Sequence, residues 1–439
     1  MSLTYLYRML IPQKIRALFH LGKYCDFLQE SYYIRKNFFL QKRALNKLKK
    51  KDKIKCVFLG LFSEIWKYDY VYKIMKDNPR FDPIILVCPI NTYGYENMLK
   101  RMDDCYDFFK QKGYKVIKSY DCHDKKYINL GIDIKPDIIF YTNPYKGLID
   151  DRYFITNFQN ILTIYVPYYY NEGVDYKITY DTMFHNLLWR QYLETDFHMN
   201  LSKTYSLTKG RNSVVTGYPG IEKFLNPVGE IKDDCWKCKS KRIKRIIWAP
   251  HHTLQAAWSC HYSCFLQYCD VMVNLAQKYK NEAQFVFKPH PLLRNKLDIL
   301  WGKDKTKEYY DKWAQMENTS LKDGDYADLF LTSDAMIHDS GSFLIEYLYV
   351  NKPVMRTIND IPLEKMYNPF ALKCLDQYYK AYNEKDIEQF IQNVINGVDP
   401  LKEQRTKFVN EVLMPKGSPS QNIIDDILDS IDNQILYRN

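Results

Sequence analysis

The segment Ser333–Pro353 reads SDAMIHDSGSFLIEYLYVNKP and combines a strand, a polar loop and a helix. Ala335–His338 is a short apolar run, which is typical of a buried strand, and an apolar helical pattern begins at Phe343. The loop between them, Asp339–Ser342, consists of small polar residues. Parallel sheets bind their ligands beyond the carboxyl ends of the strands, which is where such a loop lies. The segment therefore predicts an α/β domain with a binding site at Asp339–Ser342.

Similar strand patterns recur on both sides of a lysine-rich link at Gly229–Arg245, with polar stretches compatible with helices between them. Buried strands that alternate with helices predict βαβ units and a parallel sheet. Two such series of similar size predict two Rossmann-like domains that face each other across a cleft. The predicted strands are Ile54–Gly60, Pro83–Cys88, Tyr114–Ile117, Asp137–Tyr141, Asn160–Val166, Arg245–Trp248, Gln284–Lys288, Ala335–His338 and Pro353–Arg356.

The chain of 439 residues exceeds the ~250–300 residues at which a single core stops growing, so we expect two domains. The pattern predicts a basic helical arm at 1–50, an N-terminal Rossmann-like domain at 51–228, a C-terminal one at 240–400 and C-terminal helices at 401–439. The arm spaces its apolar residues as an amphipathic helix does, and such a helix can lie on an anionic membrane surface. Packing on the protein body, with the charges in solvent, explains the same pattern equally well.

The charge balance is 63 Lys and Arg against 52 Asp and Glu, a net charge of +11 that suits an anionic partner such as nucleotide phosphate or acidic lipid. The sequence contains no RNA-binding motif or basic recognition helix, so we expect no nucleic acid partner. It also lacks an apolar run of the ~20 residues that a transmembrane helix needs. Arg8, Lys14 and Arg16 interrupt any signal-peptide core. We therefore expect a cytoplasmic protein with reduced cysteines, in which Cys235 and Cys238 lie in an exposed loop.

Ser340, Gly341 and Ser342 stand at the start of a predicted helix, directly after the strand that His338 ends. Free N–H groups, hydroxyls and the helix dipole favour an anion at such a position. A loop of this kind holds a diphosphate without a metal, and we predict no metal and no cofactor. The simpler interpretation is that Asp339 or Ser340 only caps the helix.

Two other predicted strands end in histidines. One runs into the sequence KPHP, in which the prolines stop the strand and hold His290 at the edge of the sheet. His290 with Lys288 or Arg294 is a candidate for binding phosphate, although a single histidine is often just a packed core residue. The other strand, in IIWAPHHT, is followed by His251 and His252. Together with Asp339–Ser342, these histidines place polar groups at three strand ends of one domain.

These three segments, with Val214–Phe224 before them, resemble the CDP-glycerol glycerophosphotransferase family, which includes teichoic acid primases and polymerases. The resemblance extends over residues 140–430. The motifs that carry it are Thr216–Pro219 (TGYP), Ala249–His252 (APHH), Lys288–Pro291 (KPHP) and His338–Pro353 (HDSGSFLIEYLYVNKP).

The resemblance implies a GT-B-type fold, in which the C-terminal domain binds a nucleotide-activated donor and the N-terminal domain supplies the acceptor side. It implies that His290 contacts the donor phosphates and that Ser340 and Ser342 hold the pyrophosphate. Glu346 falls where many such enzymes bind the ribose hydroxyls, and a solvated helix residue is the alternative. The implied donor is CDP-glycerol or a similar compound. The implied acceptor is a polysaccharide or a lipid-linked polymer. We expect the protein itself to be peripheral on the inner face of the cell membrane.

The sequence departs from the family at one position that matters. The family's N-terminal domain carries a His-Gly pair after a strand, and that histidine is taken as the catalytic base. Here Tyr170 or Asn171 occupies its place, and a phenol with a pKa near ~10 is a poor base at neutral pH. Glu172, or His185 from the following helix, is the candidate replacement.

Three interpretations follow. The first is transfer of glycerol phosphate or another polyol phosphate from a CDP-activated donor to a cell-surface polymer. The second is an inverting glycosyltransferase that uses a nucleotide sugar in capsule or surface polysaccharide synthesis, which a carboxylate base would suit. The third is a non-catalytic nucleotide-binding relative, which the missing histidine would explain.

Overall fold

The computed structural model describes residues 21–91, 94–227, 229–240, 242–254 and 262–438, with side chains from residue 31 onward. The described chain divides into two compact α/β units. The first contains the residues up to Tyr168, Asp175–Pro219 and the segment from Lys416 onward. The second contains Tyr169–Val174 and Gly220–Pro415. The predicted fold class is confirmed, because both units contain a parallel sheet with helices.

The sheet of the first unit has seven strands among the described residues. They are β1 (Ile54–Gly60), β2 (Phe81–Val87), β3 (Val116–Lys118), β4 (Ile138–Tyr141), β5 (Leu162–Tyr165), β6 (Arg190–Leu193) and β7 (Ser213–Val215). Their order is β3-β2-β1-β4-β5-β6-β7, and every pairing is parallel. A short antiparallel pair, Tyr120–Asp121 with Lys126–Tyr127, stands outside the sheet.

The helices of the first unit cover both faces of this sheet. They are α1 (Leu21–Leu48), α2 (Asp69–Asp77), α3 (Tyr95–Gln111), α4 (Tyr176–Tyr180), α5 (Met183–Leu187), α6 (Asp196–Tyr205) and the C-terminal helix Pro419–Asp432. In β1, Cys56 and Phe58 belong to one apolar cluster while Val57 and Leu59 belong to another. Successive side chains of a strand point to opposite faces, so β1 is buried on both sides and reads as a continuous apolar run.

The second unit repeats the same topology with six strands among the described residues. They are β8 (Lys244–Ala249), β9 (Ala283–Phe287), β10 (Thr319–Leu321), β11 (Ala335–His338), β12 (Val354–Thr357) and β13 (Tyr379–Ala381). Their order is β10-β9-β8-β11-β12-β13, again all parallel. The α-helices are α7 (Glu222–Leu225), α8 (Phe265–Lys278), α9 (Leu293–Trp301), α10 (Lys303–Gln315), α11 (Ala327–Thr332), α12 (Phe343–Glu346), α13 (Pro369–Leu375), α14 (Glu384–Ile395) and α15 (Lys402–Phe408).

The units differ from the predicted boundaries in several places. Residues 220–227 and 401–415 belong to the second unit, and the described part of the predicted arm belongs to the first. The segment Tyr169–Val174 belongs to the second unit, because Tyr170 and Glu172 bond to residues of that unit. The C-terminal helix belongs to the first unit, where Asp426 accepts a hydrogen bond of 2.9 Å from the Nε of Arg190 on β6. Both assignments depend on contacts between residues far apart in sequence.

The predicted arm is a helix over its described part, since α1 ends at Leu48, while residues 1–20 lie outside the described residues. The C-terminal half of α1 packs on the first unit. Leu45 and Leu48 join its core, and Asn37 and Gln41 donate hydrogen bonds of 2.8 and 2.9 Å to the carbonyl of Leu187. Among the described residues, no helix has the length and apolarity to cross a bilayer.

Candidate functional site

The predicted site lies at the point where the strand order of the second unit reverses. From the centre of the sheet, β8, β9 and β10 follow one another toward one edge. Strands β11, β12 and β13 follow one another toward the opposite edge. The two central strands end together, because Ala249 of β8 pairs with His338 of β11. The loops that follow them are therefore neighbours at the carboxyl edge of the sheet, where doubly wound sheets bind ligands.

Asp339 ties these loops together. Its carboxylate accepts a hydrogen bond of 2.5 Å from the backbone N–H of His251 and one of 2.7 Å from that of Cys264. Asp339 is buried, and desolvation raises the pKa of its carboxyl to about 6. Its side chain therefore holds the loop after β8 and the start of α8 against β11, instead of capping the helix that follows it.

Three predicted histidines form one cluster at this edge. The ring centroids of His252 and His290 are 4.1 Å apart, and those of His251 and His290 are 4.9 Å apart. One ring nitrogen of each lies within 4.8 Å of those of the other two. The His290 backbone N–H donates to the carbonyl of Pro250 at 3.1 Å, which fixes the two loops to each other.

Hydrogen bonds to the cluster determine where two of its rings carry their protons. The N–H of Leu292 donates to Nδ1 of His290 at 3.1 Å, so the proton of the neutral ring is on Nε2. The Oγ1 of Thr253 accepts from the N–H groups of Tyr262 and Ser263, at 2.9 and 3.3 Å. Thr253 therefore donates its hydroxyl proton to Nδ1 of His251, 3.0 Å away, and His251 also has its proton on Nε2.

Burial keeps all three rings neutral. Desolvation lowers the pKa of His290 to about 3 and that of His252 to about 4, and it lowers the pKa of His251 well below its usual value. Neutral imidazoles close together are the pattern of a metal site. However, an imidazole with a proton on Nε2 and a hydrogen-bonded Nδ1 has no lone pair left for a metal. His251 and His290 are thus arranged as N–H donors, which suits anionic oxygens.

Cationic side chains surround this cluster. Lys288, at the end of β9, is buried, and Lys296 on α9 depresses the pKa of each of the three histidines through its positive charge. Arg356 at the end of β12 is also buried, and its Nη1 donates to the carbonyl of Ser340 at 3.3 Å. Lys296 and Arg356 were not among the predicted site residues. Arg356 could have been found from the sequence, since it too is a polar residue at a strand end.

The loop after β11 differs in one respect from the prediction. Ser340 and Gly341 are buried and Ser342 is exposed, at the start of α12. This helix has only one turn, Phe343–Glu346, before the chain continues as a 3₁₀ helix over Tyr347–Val350. The backbone N–H groups of the loop remain available for an anion, but a helix this short adds little macrodipole.

The predicted base Glu172 lies against this loop. A Cβ on Gly341 would collide with Oε1 of Glu172, so the carboxylate touches the backbone of Gly341. The segment around it is held by Asn368, whose N–H donates to the carbonyl of Glu172 and whose Nδ2 donates to the carbonyl of Asn171, both at 2.7 Å. Tyr170 is buried with its hydroxyl 2.7 Å from that of Tyr349. We expected Glu172 in the N-terminal domain, away from the donor phosphates, and that expectation is wrong.

The remaining predicted site residues make other contacts. Arg294 is exposed and its guanidinium stacks over Tyr310, 5.0 Å from the ring centroid. His338 is buried, with Nε2 3.2 Å from the hydroxyl of Tyr378. Glu346 is buried and accepts a hydrogen bond from the hydroxyl of Tyr326, so it is not a solvated helix residue.

His185, the second candidate base, is buried within the first unit. Its Nδ1 is 2.8 Å from Oγ1 of Thr182, and desolvation lowers its pKa to about 3. Its ring makes edge contacts with Tyr165 and Phe184. These surroundings are those of a packed core residue.

Comparison with known proteins supports the resemblance noted in the sequence. Residues 196–407 match the family described as CDP-Glycerol:Poly(glycerophosphate) glycerophosphotransferase. The match covers slightly less than half of the 439 residues. The matched segment includes the histidine cluster and the Asp339–Ser342 loop, and the resemblance noted in the sequence is confirmed.

A curated relative of this chain is the teichoic acid ribitol-phosphate polymerase TarL of Staphylococcus aureus. The two chains are 23% identical over 188 residues, which is 40% of this chain and 30% of TarL. The match thus spans less than a third of that relative's length.

Solved structures share the fold. The wall teichoic acid polymerase TagF, in a variant form, has a TM-score of 0.58 at 13% identity and covers 93% of this chain and 98% of that chain. Staphylococcus aureus MnaA with UDP has a TM-score of 0.53 at 15% identity and covers 88% and 99% of the two chains. UDP-GlcNAc 2-epimerase of Neisseria meningitidis, bound to UDP-GlcNAc, has a TM-score of 0.54 at 16% identity, covering 86% and 100%.

Proposed function

We propose that this protein transfers glycerol phosphate, or another polyol phosphate, from a CDP-activated donor to a hydroxyl of a cell-surface polymer or lipid-linked acceptor. The observation that carries the proposal is the pair of neutral Nε2–H donors, His251 and His290, at the strand-order reversal of a glycerophosphotransferase domain. Two N–H donors and the nearby Lys288 and Lys296 suit the oxygens of a diphosphate. The family supports CDP as the nucleotide, and the named relative supports a polyol phosphate as the transferred group.

In the proposed reaction the acceptor oxygen attacks the β-phosphorus of the donor. A new P–O bond forms, the bond from that phosphorus to the bridging oxygen breaks, and the electron pair leaves with CMP. Neutral N–H donors and lysines lower the barrier by stabilising the negative charge that develops on the bridging and non-bridging oxygens. They need no proton transfer of their own, because the histidines act here as hydrogen-bond donors.

The acceptor hydroxyl must lose its proton as it attacks, and we assign this proton to Glu172. Its carboxylate lies against Gly341, in the loop proposed to hold the donor. A carboxylate beside the reacting phosphate can take the proton as the P–O bond forms. His185 is the weaker candidate, because its ring is packed in the core of the first unit.

We further propose that α1 contributes to binding at an anionic membrane surface, where a lipid-linked acceptor would be found. Tyr32 and Phe39 on this helix are 61% and 66% exposed, and Arg35, Lys36 and Arg43 are exposed beside them. Exposed aromatic rings and basic residues on one helix suit the headgroup region. Flotation with anionic but not with zwitterionic vesicles is the expected result.

A donor panel tests the transferase proposal. The protein is incubated with CDP-glycerol, CDP-ribitol and common UDP-sugars in the presence of a membrane acceptor fraction, and the released nucleotide is identified. Release of CMP supports phosphotransfer. Release of a nucleoside diphosphate from a UDP-sugar would instead support the glycosyltransferase interpretation, and no release from any donor would support a non-catalytic relative.

A further inference from the structure

A cavity lies in the first unit, at the amino ends of β4 and β5, on the edge of the sheet opposite the strand ends that bind ligands in such folds. Its volume is about 940 Å³. The C-terminal end of α1 forms one wall, and the segments that lead into β4 and β5 form others. The mechanism proposed above does not use this cavity.

The lining of this cavity is basic. Lys47, Lys51, Lys135 and Arg152 line it, against the single carboxylate of Asp137. Lys51 is paired with Asp137 at 2.5 Å, and Arg152 is paired with Asp150, which is not part of the lining. Within the part of the chain that the structure describes, neither Lys47 nor Lys135 has an ion-pair partner. Two cations of the cavity are therefore available to a ligand.

Lys135 is held at the cavity by an unusual turn. The chain forms a single π-helical turn at Leu130–Ile134, and Lys135 follows it in the left-handed conformation, with φ of 55°. This conformation is unfavourable for a residue with a Cβ. The turn is fixed by hydrogen bonds: the Lys135 N–H donates to the carbonyl of Leu130 at 2.9 Å, and Asn129 caps the turn.

Neutral amides accompany these cations. The Oδ1 of Asn129 accepts from the N–H groups of Gly131 and Ile132, at 3.1 and 3.2 Å, which leaves its side-chain NH₂ as a donor. Asn160 also lines the cavity and is exposed. Ammonium groups bind phosphate as point charges, and side-chain amides bind hydroxyls. The volume is at the upper end of the ~300–1,000 Å³ found for small-molecule sites and is much larger than one phosphate needs.

We infer that this cavity binds a segment of a phosphodiester-linked polyol chain, with phosphates on Lys47 and Lys135 and hydroxyls on Asn129 and Asn160. The identity of the ligand rests on the proposed function, since such a chain would be its acceptor or product. The cavity would hold the polymer at a point separate from the donor site and keep it bound between successive transfers.

The test is calorimetric titration of the full-length protein with a short synthetic oligomer of glycerol phosphate. The double variant Lys47→Gln/Lys135→Gln should bind the oligomer about tenfold or more weakly, because contacts to charged oxygens are lost. The variant Lys280→Gln/Lys303→Gln removes the same charge from exposed positions of the second unit and should bind as the wild type does. Equal affinity of the cavity variant and the wild type, or an equal loss in both variants, would overturn the inference.

A second arm tests the hydroxyl contacts. Asn129→Ala/Asn160→Ala should weaken binding of the glycerol phosphate oligomer but not of an inorganic polyphosphate of similar charge. A polyphosphate that binds as tightly as the oligomer, with no effect of the asparagine variant on either, would overturn a polyol ligand. CMP release from CDP-glycerol is measured separately on the same samples. Absence of CMP release would refute the proposed transfer. A change in affinity for the oligomer reports on the cavity alone.

Discussion

The carboxylate of Glu172 occupies the space that a side chain at position 341 would need, so Gly341 and Glu172 fit together only because Gly341 has no Cβ. Gly341 does not have a positive φ, so its backbone conformation does not require a glycine. The proposed base and the proposed phosphate loop are thus in direct contact. A substitution at Gly341 should therefore lower turnover by displacing the carboxylate of Glu172.

Gly341→Ala should lower turnover with little loss of stability. The added methyl meets Oε1 at the flexible end of the Glu172 side chain, which can rotate away at low cost but then leaves its working position. A displacement of this size can cost about 10²-fold in rate. The measurement is steady-state CMP release together with the melting temperature.

Gly173→Ala is the matched control for that change. A Cβ at Gly173 meets nothing within 4 Å, and the residue lies in the same segment as Glu172. It should retain the wild-type rate. A Gly341→Ala protein with full activity would show that the position of Glu172 does not matter.

Glu172→Gln should reduce turnover by ~10²–10⁴-fold, the usual contribution of a general base. Glutamine keeps the size of the side chain and its hydrogen bonding but cannot accept the acceptor's proton. Because the change removes a negative charge beside the proposed phosphate site, affinity for CDP-glycerol should stay the same or increase. Single-turnover kinetics and calorimetry separate the two quantities, and reduced donor affinity at an unchanged chemical rate would contradict the assignment.

Acid should destabilise the protein through its buried histidines. Unfolded histidine takes up a proton near pH ~6.5, whereas His185 and His290 in the folded state have a pKa of about 3. The unfolded chain therefore binds more protons below pH ~6.5, and stability falls with decreasing pH by up to about 1.4 kcal/mol per pH unit for each histidine. Asp339 acts in the opposite direction, because its pKa of about 6 favours the folded state most at low pH.

The measurement is the free energy of unfolding at pH values from about 4.5 to about 7. This range includes ~6.5, the pKa of histidine in an unfolded chain. His290→Gln and His185→Gln should each show a shallower loss on acidification than the wild type. His123→Gln changes an exposed histidine and should reproduce the wild-type slope. Identical slopes for all four proteins would mean that folding does not lower the pKa of His185 or His290.

Strand ends with polar residues made the candidate site predictable, since Lys288, His290 and Ser340 each follow an apolar run. The positions of the protons on the His251 and His290 rings could not be predicted. They depend on Thr253 and on backbone N–H groups that only the folded loops bring together. Strand β6 was missed because its first residues, Arg190 and Gln191, are polar and break the apolar pattern.

Arg190 also explains why the C-terminal helix was assigned to no domain of the fold. It is fully buried, and its guanidinium donates to Asp426 at 2.9 Å and to the carbonyl of Leu436 at 2.7 Å. No local pattern marks an arginine on a strand as the partner of a helix more than two hundred residues later in the chain. The assignment required the tertiary structure.

Asp426→Asn should destabilise the first unit by roughly 3–5 kcal/mol, because it leaves the buried Arg190 without its counter-charge. Asp432→Asn is the control on the same helix: its partner Arg80 is 30% exposed and Asp432 is 52% exposed, so the loss should stay within about 1 kcal/mol. Denaturant unfolding measures both. Similar losses in the two variants would mean that the buried pair does not fix this helix.

The most direct test of the transferase proposal follows both products of one reaction. The protein is incubated with CDP-glycerol labelled in the glycerol and with a membrane acceptor fraction, and CMP release and label in the acceptor are measured together for the wild type and for Glu172→Gln. We predict equal amounts of CMP and incorporated glycerol phosphate with the wild type, and a loss of both in the variant despite retained donor binding. CDP-glycerol or CDP-ribitol that stays intact, while a UDP-sugar is consumed and its sugar enters the acceptor, would contradict the proposal.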